Sequence, residues 1–170
     1  MGGGARSTAR AIGGVTDEST IVIRPARHHD LSVIAAIERA SFGDPWSVES
    51  FASVLDLSHI RFLVAQHRTA DDSLLGYVVA ITLAEEGEIA NLAVAPTARR
   101  HGIGGLLLDR IVKETTAAGV SALYLEVRES NLAARALYHS RDFLPVGRRS
   151  GYYRQPSEDA LLLRLDLIST

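Results

Sequence analysis

Three groups of residues have types and spacings suited to chemistry. Glu126 lies in the apolar run Leu123-Tyr124-Leu125-Glu126-Val127-Arg128, whose alternation marks a strand and puts the carboxylate opposite Leu125 and Val127. An acid there can act as a local base or pair, as a strand-end charge, with Arg128 or Arg99, and both readings stand. Tyr138 follows Asn131 by seven residues, which on a helix places the two on nearly one face, two turns apart. A phenol with a reference pKa of about 10 keeps its proton at neutral pH and can donate it, though the same ring serves equally well as core packing. Asn131 can contact a ligand or cap a helix. The third group, Arg99-Arg100-His101-Gly102-Ile103-Gly104 with Gly105, joins the buried run Asn91-Leu92-Ala93-Val94 to an amphipathic stretch. A turn built on glycines at a helix start aims several N–H groups at one point, where the helix dipole adds positive charge. That arrangement suits a pyrophosphate. A dinucleotide fingerprint begun at Gly102 would need glycine where Leu107 stands, and the mononucleotide loop's Gly-Lys-Ser/Thr ending is absent.

The elements that must carry these groups follow from periodicity. Ile21–Pro25 reads as a strand stopped by proline; Asp30 opens a helix to about Ser41; Pro45-Trp46-Ser47 breaks the chain, and Ser47 with Ser50 starts a short helix to about Leu55. Strands follow over 60–66, 74–83 and 86–94, the first two separated by a polar turn over 68–73. A helix from about Gly102 to Ala118 stops at Gly119, and 122–127 is a strand. A helix over 132–140 and strands near 144–148 and 160–165, with Tyr152 and Tyr153 in a loop between them, complete the order. Strands first, then strand-helix-strand-helix-strand, predict an α/β fold with a mixed central sheet and helices on both faces.

Composition narrows the function classes. The chain has 170 residues, 46% of them hydrophobic and 22% charged, which fits one soluble globular domain over 20–170, with the Gly- and Ser-rich residues 1–19 as a flexible leader. A net charge of −2 gives no global attraction to nucleic acid. With no cysteine there is no disulfide, thiolate metal site or acyl-cysteine intermediate. His28, His29, His59, His67, His101 and His139 lack metal-ligand spacing, so no metal is expected, and Ser130 and Ser140 lack the strained turn of a serine nucleophile. No apolar run reaches the ~18 residues of a membrane span, and a cytoplasmic protein is expected.

Taken together, N-L-A-V-A-P, R-x-x-G-I-G, L-E-V-R-x-S-N-x-A-A-x-x-L-Y and R-R-S-G-Y-Y followed by E-D-A-L resemble the GNAT superfamily of acetyl-CoA-dependent N-acetyltransferases. The likeness runs from about Ile21 to Leu165. With Ser41-Phe42-Gly43-Asp44-Pro45-Trp46-Ser47, it is most similar to the RimI subgroup, the ribosomal-protein-alanine N-acetyltransferases. The resemblance implies acetyl-CoA as co-substrate, no metal, and an acceptor that is a protein or peptide N-terminus, a ribosomal protein in that subgroup. It implies that Glu126 is the general base, acting through water, and that Tyr138 is the general acid for a departing thiolate. It further implies that Asn131 touches the cofactor, that a bulge near Leu92-Ala93-Val94 lets the pantetheine arm pair with that strand, that the Val94 N–H polarises the thioester, and that Arg99, Arg100, His101, Gly102, Ile103, Gly104 and Gly105 form the pyrophosphate loop. Trp46, Tyr152 and Tyr153, with Arg148 and Arg149, are candidates for the acceptor wall, where Glu38, Asp44 or Glu126 could attract a basic N-terminus. Relatives carry Leu-Gly-Phe where this chain has Arg141-Asp142-Phe143, which places an aspartate at a left-handed helix stop. Two other readings keep the fold: acetylation of lysine or a small amine, and a non-catalytic acyl-CoA sensor.

Overall fold

A computed structural model describes residues 20–68 and 73–167. The expected leader, and the middle of the polar turn, lie outside the described residues. Seven strands form one sheet: β1 (Ile21–Pro25), β2 (Ile60–His67), β3 (Leu74–Leu83), β4 (Glu86–Val94), β5 (Ala122–Arg128), β6 (Leu144–Arg154) and β7 (Ser157–Asp166). Their spatial order is β1-β2-β3-β4-β5-β7-β6, antiparallel throughout except for the parallel pair β4–β5. The helices are α1 (Leu31–Ser41), α2 (Val48–Leu55), α3 (Ile103–Ala117) and α4 (Leu132–His139). Among the described residues no helix is long and apolar enough to cross a membrane.

Period-two alternation in the central strands feeds two cores. On one face Leu63, Ala65, Val78 and Ala80 meet Ile103, Leu107 and Ile111 of α3, joined by Tyr138 of α4 and by Phe143. On the other, Phe62, Val64, Tyr77 and Val79 meet Ile34 and Ile37 of α1 and Phe51 of α2. In β5, Leu123, Leu125 and Val127 turn toward the α3 face, so Glu126 points to the face that carries α1 and α2, as alternation predicts.

The helix ends follow local rules. Ser47 caps α2, its hydroxyl accepting the Ser50 N–H at 3.1 Å. Asp30 stands at the head of α1 after a single 3₁₀ turn, but its carboxylate receives Arg24 (2.8 and 2.9 Å) and the Arg27 N–H (2.7 Å) rather than helix donors. Burial alone would raise its pKa; the Arg24 and Arg27 hydrogen bonds outweigh that and hold it below 3.8. Helix α3 stops at Gly119 (φ 86°), with Val120 N–H reaching Thr115 O and Gly119 N–H reaching Thr116 O. Helix α4 stops in the same way, Phe143 N–H on Tyr138 O and Asp142 N–H on His139 O, with Asp142 at φ 63°. Both are Schellman closures, one on glycine and one on aspartate. In the second, the Phe143 ring packs edge-on against Tyr138 at 5.8 Å, so the departure at 141–143 leaves the helix stop intact.

Two expectations need correction. Tyr152 and Tyr153 are in β6, which runs to Arg154, and β7 begins at Ser157; the hairpin is longer than its sequence suggests because both strands are polar there and carry little alternation. The register shifts between Arg149 and Tyr153, where Gly151 takes φ 60° and its N–H is held by Asp159 at 2.9 Å. The second correction concerns the bulge in β4, which falls earlier than Leu92. Val79 faces Asn91 but Ala80 faces Ile89, leaving Ala90 as the extra residue.

Candidate active site

The Ala90 bulge shapes the site. Strands β4 and β5 pair from Glu86↔Ala122 to Ile89↔Leu125, and the described ladder ends there, so the two strands part just where the bulge bends β4. On its other side β4 stays with β3 to Val94↔Gly76, and Ala95 N–H continues the ladder onto Leu75 O. Counting back by twos from Ala95, Ala93 and Asn91 bond toward β3, which turns the backbone groups of Leu92 and Val94 toward the gap. The Val94 carbonyl is met by Arg99 Nε at 3.1 Å, and Arg99 also reaches Ser41 Oγ at 3.1 Å.

The gap opens into a cleft of about 610 Å³. Its walls include Glu38, Asp44, Trp46, Leu92, Glu126, Asn131, Tyr138, Tyr152 and Tyr153, so residues from α1, β4, β5, α4 and β6 converge. Ala93 is turned into the α1–α2 core and lies outside the cleft wall. Residues 99–102 lead into α3, which starts at Ile103 with Gly102 as its N-cap. Leu106 N–H makes the first intrahelical bond, to Gly102 O, so the N–H groups of Ile103, Gly104 and Gly105 have no partner within the helix. The Ile103 side chain is core, leaving only its backbone for a ligand. Arg100 (φ 63°) and Gly102 (φ 78°) both turn left-handed, and open space surrounds the missing Gly102 Cβ. A Cβ on Gly104 would lie 3.2 Å from Leu137 Cδ2 and 3.7 Å from Val94 Cγ2, so glycine brings the α3 start down onto β4 and α4. Gly105 is covered by the Arg141 guanidinium, which is itself paired with Asp109 at 2.9 Å.

Glu126 is mostly buried at the cleft wall, and its partner is neither Arg128 nor Arg99. Arg149 Nε lies 2.6 Å from Glu126 Oε1, and the Tyr152 phenol is near enough for this carboxylate to raise its pKa. Arg128, the nearest cation on the same strand face, is drawn away by the β6–β7 turn. It donates to Gln155 O and Pro156 O at 3.0 Å, pairs with Glu158 at 3.4 Å and lies 4.1 Å over the Tyr153 ring. Burial, followed by the Glu126 charge, pushes the Tyr153 pKa up to about 12. Tyr138 is 7% exposed, and burial raises its pKa. Asn131 caps α4, its side-chain oxygen accepting Ala134 N–H at 3.1 Å, while lining the same cleft.

Glu38 behaves differently from the sequence expectation. Only 1% exposed, it accepts the Tyr77 hydroxyl, the Trp46 N–H (3.0 Å) and Asn91 Nδ2 (3.0 Å). These donors come from β3, β4 and the α1–α2 connection, so the carboxylate fastens that wall rather than waiting for a cationic acceptor. Burial first, then the Glu38 charge, raises the Tyr77 pKa. Sequence reasoning did not find this cluster. Its one available signal is Tyr77 within the apolar run 74–81 of β3 and Asn91 within the apolar run 89–94 of β4, each a polar group among apolar neighbours. Among the described residues no group of His, Cys, Asp and Glu is arranged to hold a metal ion.

A mixed sheet that opens between parallel strands, with a carboxylate, a phenol and a glycine-rich helix start around the opening, defines an acyl-transfer scaffold. Residues 31–143 match the acetyltransferase (GNAT) family, and the chain belongs to that family. Among its curated relatives, the [ribosomal protein bS18]-alanine N-acetyltransferase of Salmonella typhimurium is 34% identical over 140 residues, covering 81% of this chain and 92% of the relative. The crystal structure of the ribosomal-protein-S18-alanine N-acetyltransferase from Escherichia coli superposes with a TM-score of 0.78 at 31% identity, covering 86% of this chain and 94% of that one. That of Arabidopsis thaliana NAA60 in complex with acetyl-CoA gives 0.79 at 27% identity, covering 86% and 99%. The fold is therefore the GNAT fold, and acetyl-CoA is a ligand of its relatives.

Proposed function

We propose that this protein is a cytoplasmic N-terminal acetyltransferase that moves acetyl from acetyl-CoA onto the α-amine of the N-terminal alanine of ribosomal protein S18, by direct attack. The observation that carries the proposal is the cleft itself. Glu126, Tyr138 and Leu92 line one opening, and Leu92 with Val94 also packs beneath Gly104 at the start of α3.

The residues present fit acetyl-CoA. The Leu92 backbone groups and the Val94 N–H, turned toward β5 beyond the end of its ladder, would hold the pantetheine arm, and the N–H groups at 103–105 with the left-handed Arg100 and Gly102 would hold the pyrophosphate. When bound there, acetyl-CoA supplies an activated thioester carbonyl. The Val94 N–H is the donor suited to polarising its oxygen. Glu126 takes a proton from the acceptor ammonium, through water; a reference pKa of about 7.7 to 8.0 makes an α-amine an easier substrate than lysine at about 10.4. Tyr138 donates to the leaving sulfur. Because burial raises its pKa, the phenol holds its proton across the neutral and mildly alkaline range, and no alkaline loss of rate below about pH 10 should originate from it. Trp46, Tyr152 and Tyr153 wall the acceptor side.

The test is incubation with acetyl-CoA and short peptides, following free thiol and peptide mass. α-Acetylation of an alanine-starting S18 peptide, abolished when its α-amine is blocked and unaffected when its lysines are blocked, is expected. Modification only of lysines or small amines would move the acceptor class, and cofactor-dependent thermal stabilisation without thiol release would make the protein a sensor.

A further inference from the structure

Three arginines lie on the β5–β6 side of the sheet near Glu126, and they are held unequally. Arg148 is chelated by Glu129 (2.7 and 2.9 Å) and by Asp159 (3.0 Å). Arg128 is fixed by two turn carbonyls, a carboxylate and an aromatic face. Arg149 has one carboxylate, Glu126, with its guanidinium 5.7 Å from the Tyr152 ring centre. Its side chain is 59% exposed, against 14% for Glu126.

The sheet explains how it gets there. Across β7, Arg128 and Arg149 both face Ala160, and Glu126 and Gly147 both face Leu162, so all share one face of the sheet. The small Ala160 leaves room above it. With Arg128 pulled toward the turn, the Arg149 side chain reaches diagonally over β7 to Glu126. Arg149 also stands at the edge of the β6 irregularity around Gly151, where the strand leaves regular pairing.

We infer that Arg149 is a stand-in for the acceptor: its guanidinium occupies the place at Glu126 that the substrate's α-ammonium and its bridging water take, and it must leave, onto the Tyr152 face or into solvent, before proton transfer. The inference rests on the acetyl-transfer reading above. With a guanidinium against Oε1, Glu126 is a poorer proton acceptor and its approach is partly blocked. An ion pair exposed on one side is weak enough to be exchanged. Arg149 therefore sets a threshold that an acceptor must exceed, and selects for acceptors bringing a cation of their own.

Steady-state kinetics on Arg149→Met and Arg149→Lys, with the S18 N-terminal peptide varied at saturating acetyl-CoA, tests this. Arg149→Met should lower the acceptor KM about three- to fivefold, the effect of removing one exposed ion pair. Arg149→Lys should stay near the wild-type value, and Arg110→Met, which removes the same charge from an exposed pair with Glu114 on α3 outside the cleft lining, should leave KM unmoved. An acceptor KM that is unchanged or higher in Arg149→Met, or a tenfold fall in kcat at constant KM, would overturn the inference and make Arg149 a fixed positioning partner of Glu126. Should the wild-type protein modify no α-amine, the functional reading fails on its own, and methylguanidinium binding decides about Arg149. Tighter binding to Arg149→Met than to wild type, lost in Glu126→Gln/Arg149→Met, upholds the displacement; equal binding to wild type and Arg149→Met overturns it.

Discussion

Glu38 and Glu126 line the same cleft and are both largely buried, yet they belong to different kinds of wall. Glu38 is surrounded by donors from the interior: the Tyr77 hydroxyl, the Asn91 amide and the Trp46 backbone. Glu126 draws its partners from the exposed β6 edge, through Arg149 and Tyr152. The first carboxylate is saturated by groups that cannot move without unpacking a core. The second is served by side chains that can swing away. Burial alone therefore does not mark a working carboxylate; what matters is whether its partners can be exchanged.

The contrast can be broken in order of expected effect. Glu38→Ala orphans three donors at once and should cost about 4 kcal/mol of stability in denaturant unfolding. A loss under about 1 kcal/mol would mean that the cluster is not a fastening. Glu126→Gln should do the reverse, lowering kcat about a hundredfold or more at saturating acceptor while the unfolding midpoint barely moves. Near-normal turnover across pH would remove Glu126 from the chemistry. Tyr138→Phe is expected to lower kcat about thirtyfold with acetyl-CoA affinity within about twofold of wild type. A deficit confined to affinity would leave Tyr138 as packing alone.

Away from the cleft, Asp30 supplies a calibration for a saturated carboxylate. Its folded pKa is depressed, so the stabilisation it contributes with Arg24 is present above its unfolded value of 3.8 and is lost as pH falls through the folded value. Thermal unfolding from pH 7 to pH 3 should show Asp30→Asn about 1 kcal/mol less stable than wild type at neutral pH, with the gap closing in acid. A gap that persists or widens in acid would mean that the charge is not its source. The smallest effect belongs to Asp142→Gly. Glycine at the left-handed α4 stop should add about 0.5 kcal/mol, matching the glycine already present at Gly119. A destabilised variant would show that the Asp142 side chain contributes more than its strained backbone costs.

Much of this was legible in the sequence where periodicity is strong. β1 to β5 and all four helices fall where alternation, proline, Ser47 and Gly119 put them, and the face of Glu126 followed from Leu125 and Val127 alone. Three features were not legible because each depends on a partner distant in the chain. The Ala90 bulge exists only relative to the β3 register. The Glu126–Arg149 contact requires knowing that β7 lies between β5 and β6. The fastening of Glu38 joins three separate elements, any of which reads as ordinary on its own. The length of the β6–β7 hairpin escaped for a local reason: polar residues fill both strands near the turn, so the pattern that normally signals pairing is missing.

The early end of the β4–β5 ladder has a consequence for how the protein moves. Among the described residues, the backbone pairing that joins strands β1–β4 to β5–β7 runs from the Ser121 N–H on Glu85 O to Ile89↔Leu125, at one end of the sheet. The two halves thus resemble a hinged book whose spine lies at that end and whose open edge is the cleft. A bound pantetheine arm would close the open edge by supplying the missing rungs. Amide hydrogen exchange at Leu92 and Val94 should then slow on ligand addition far more than at Ala93, whose N–H already belongs to β3.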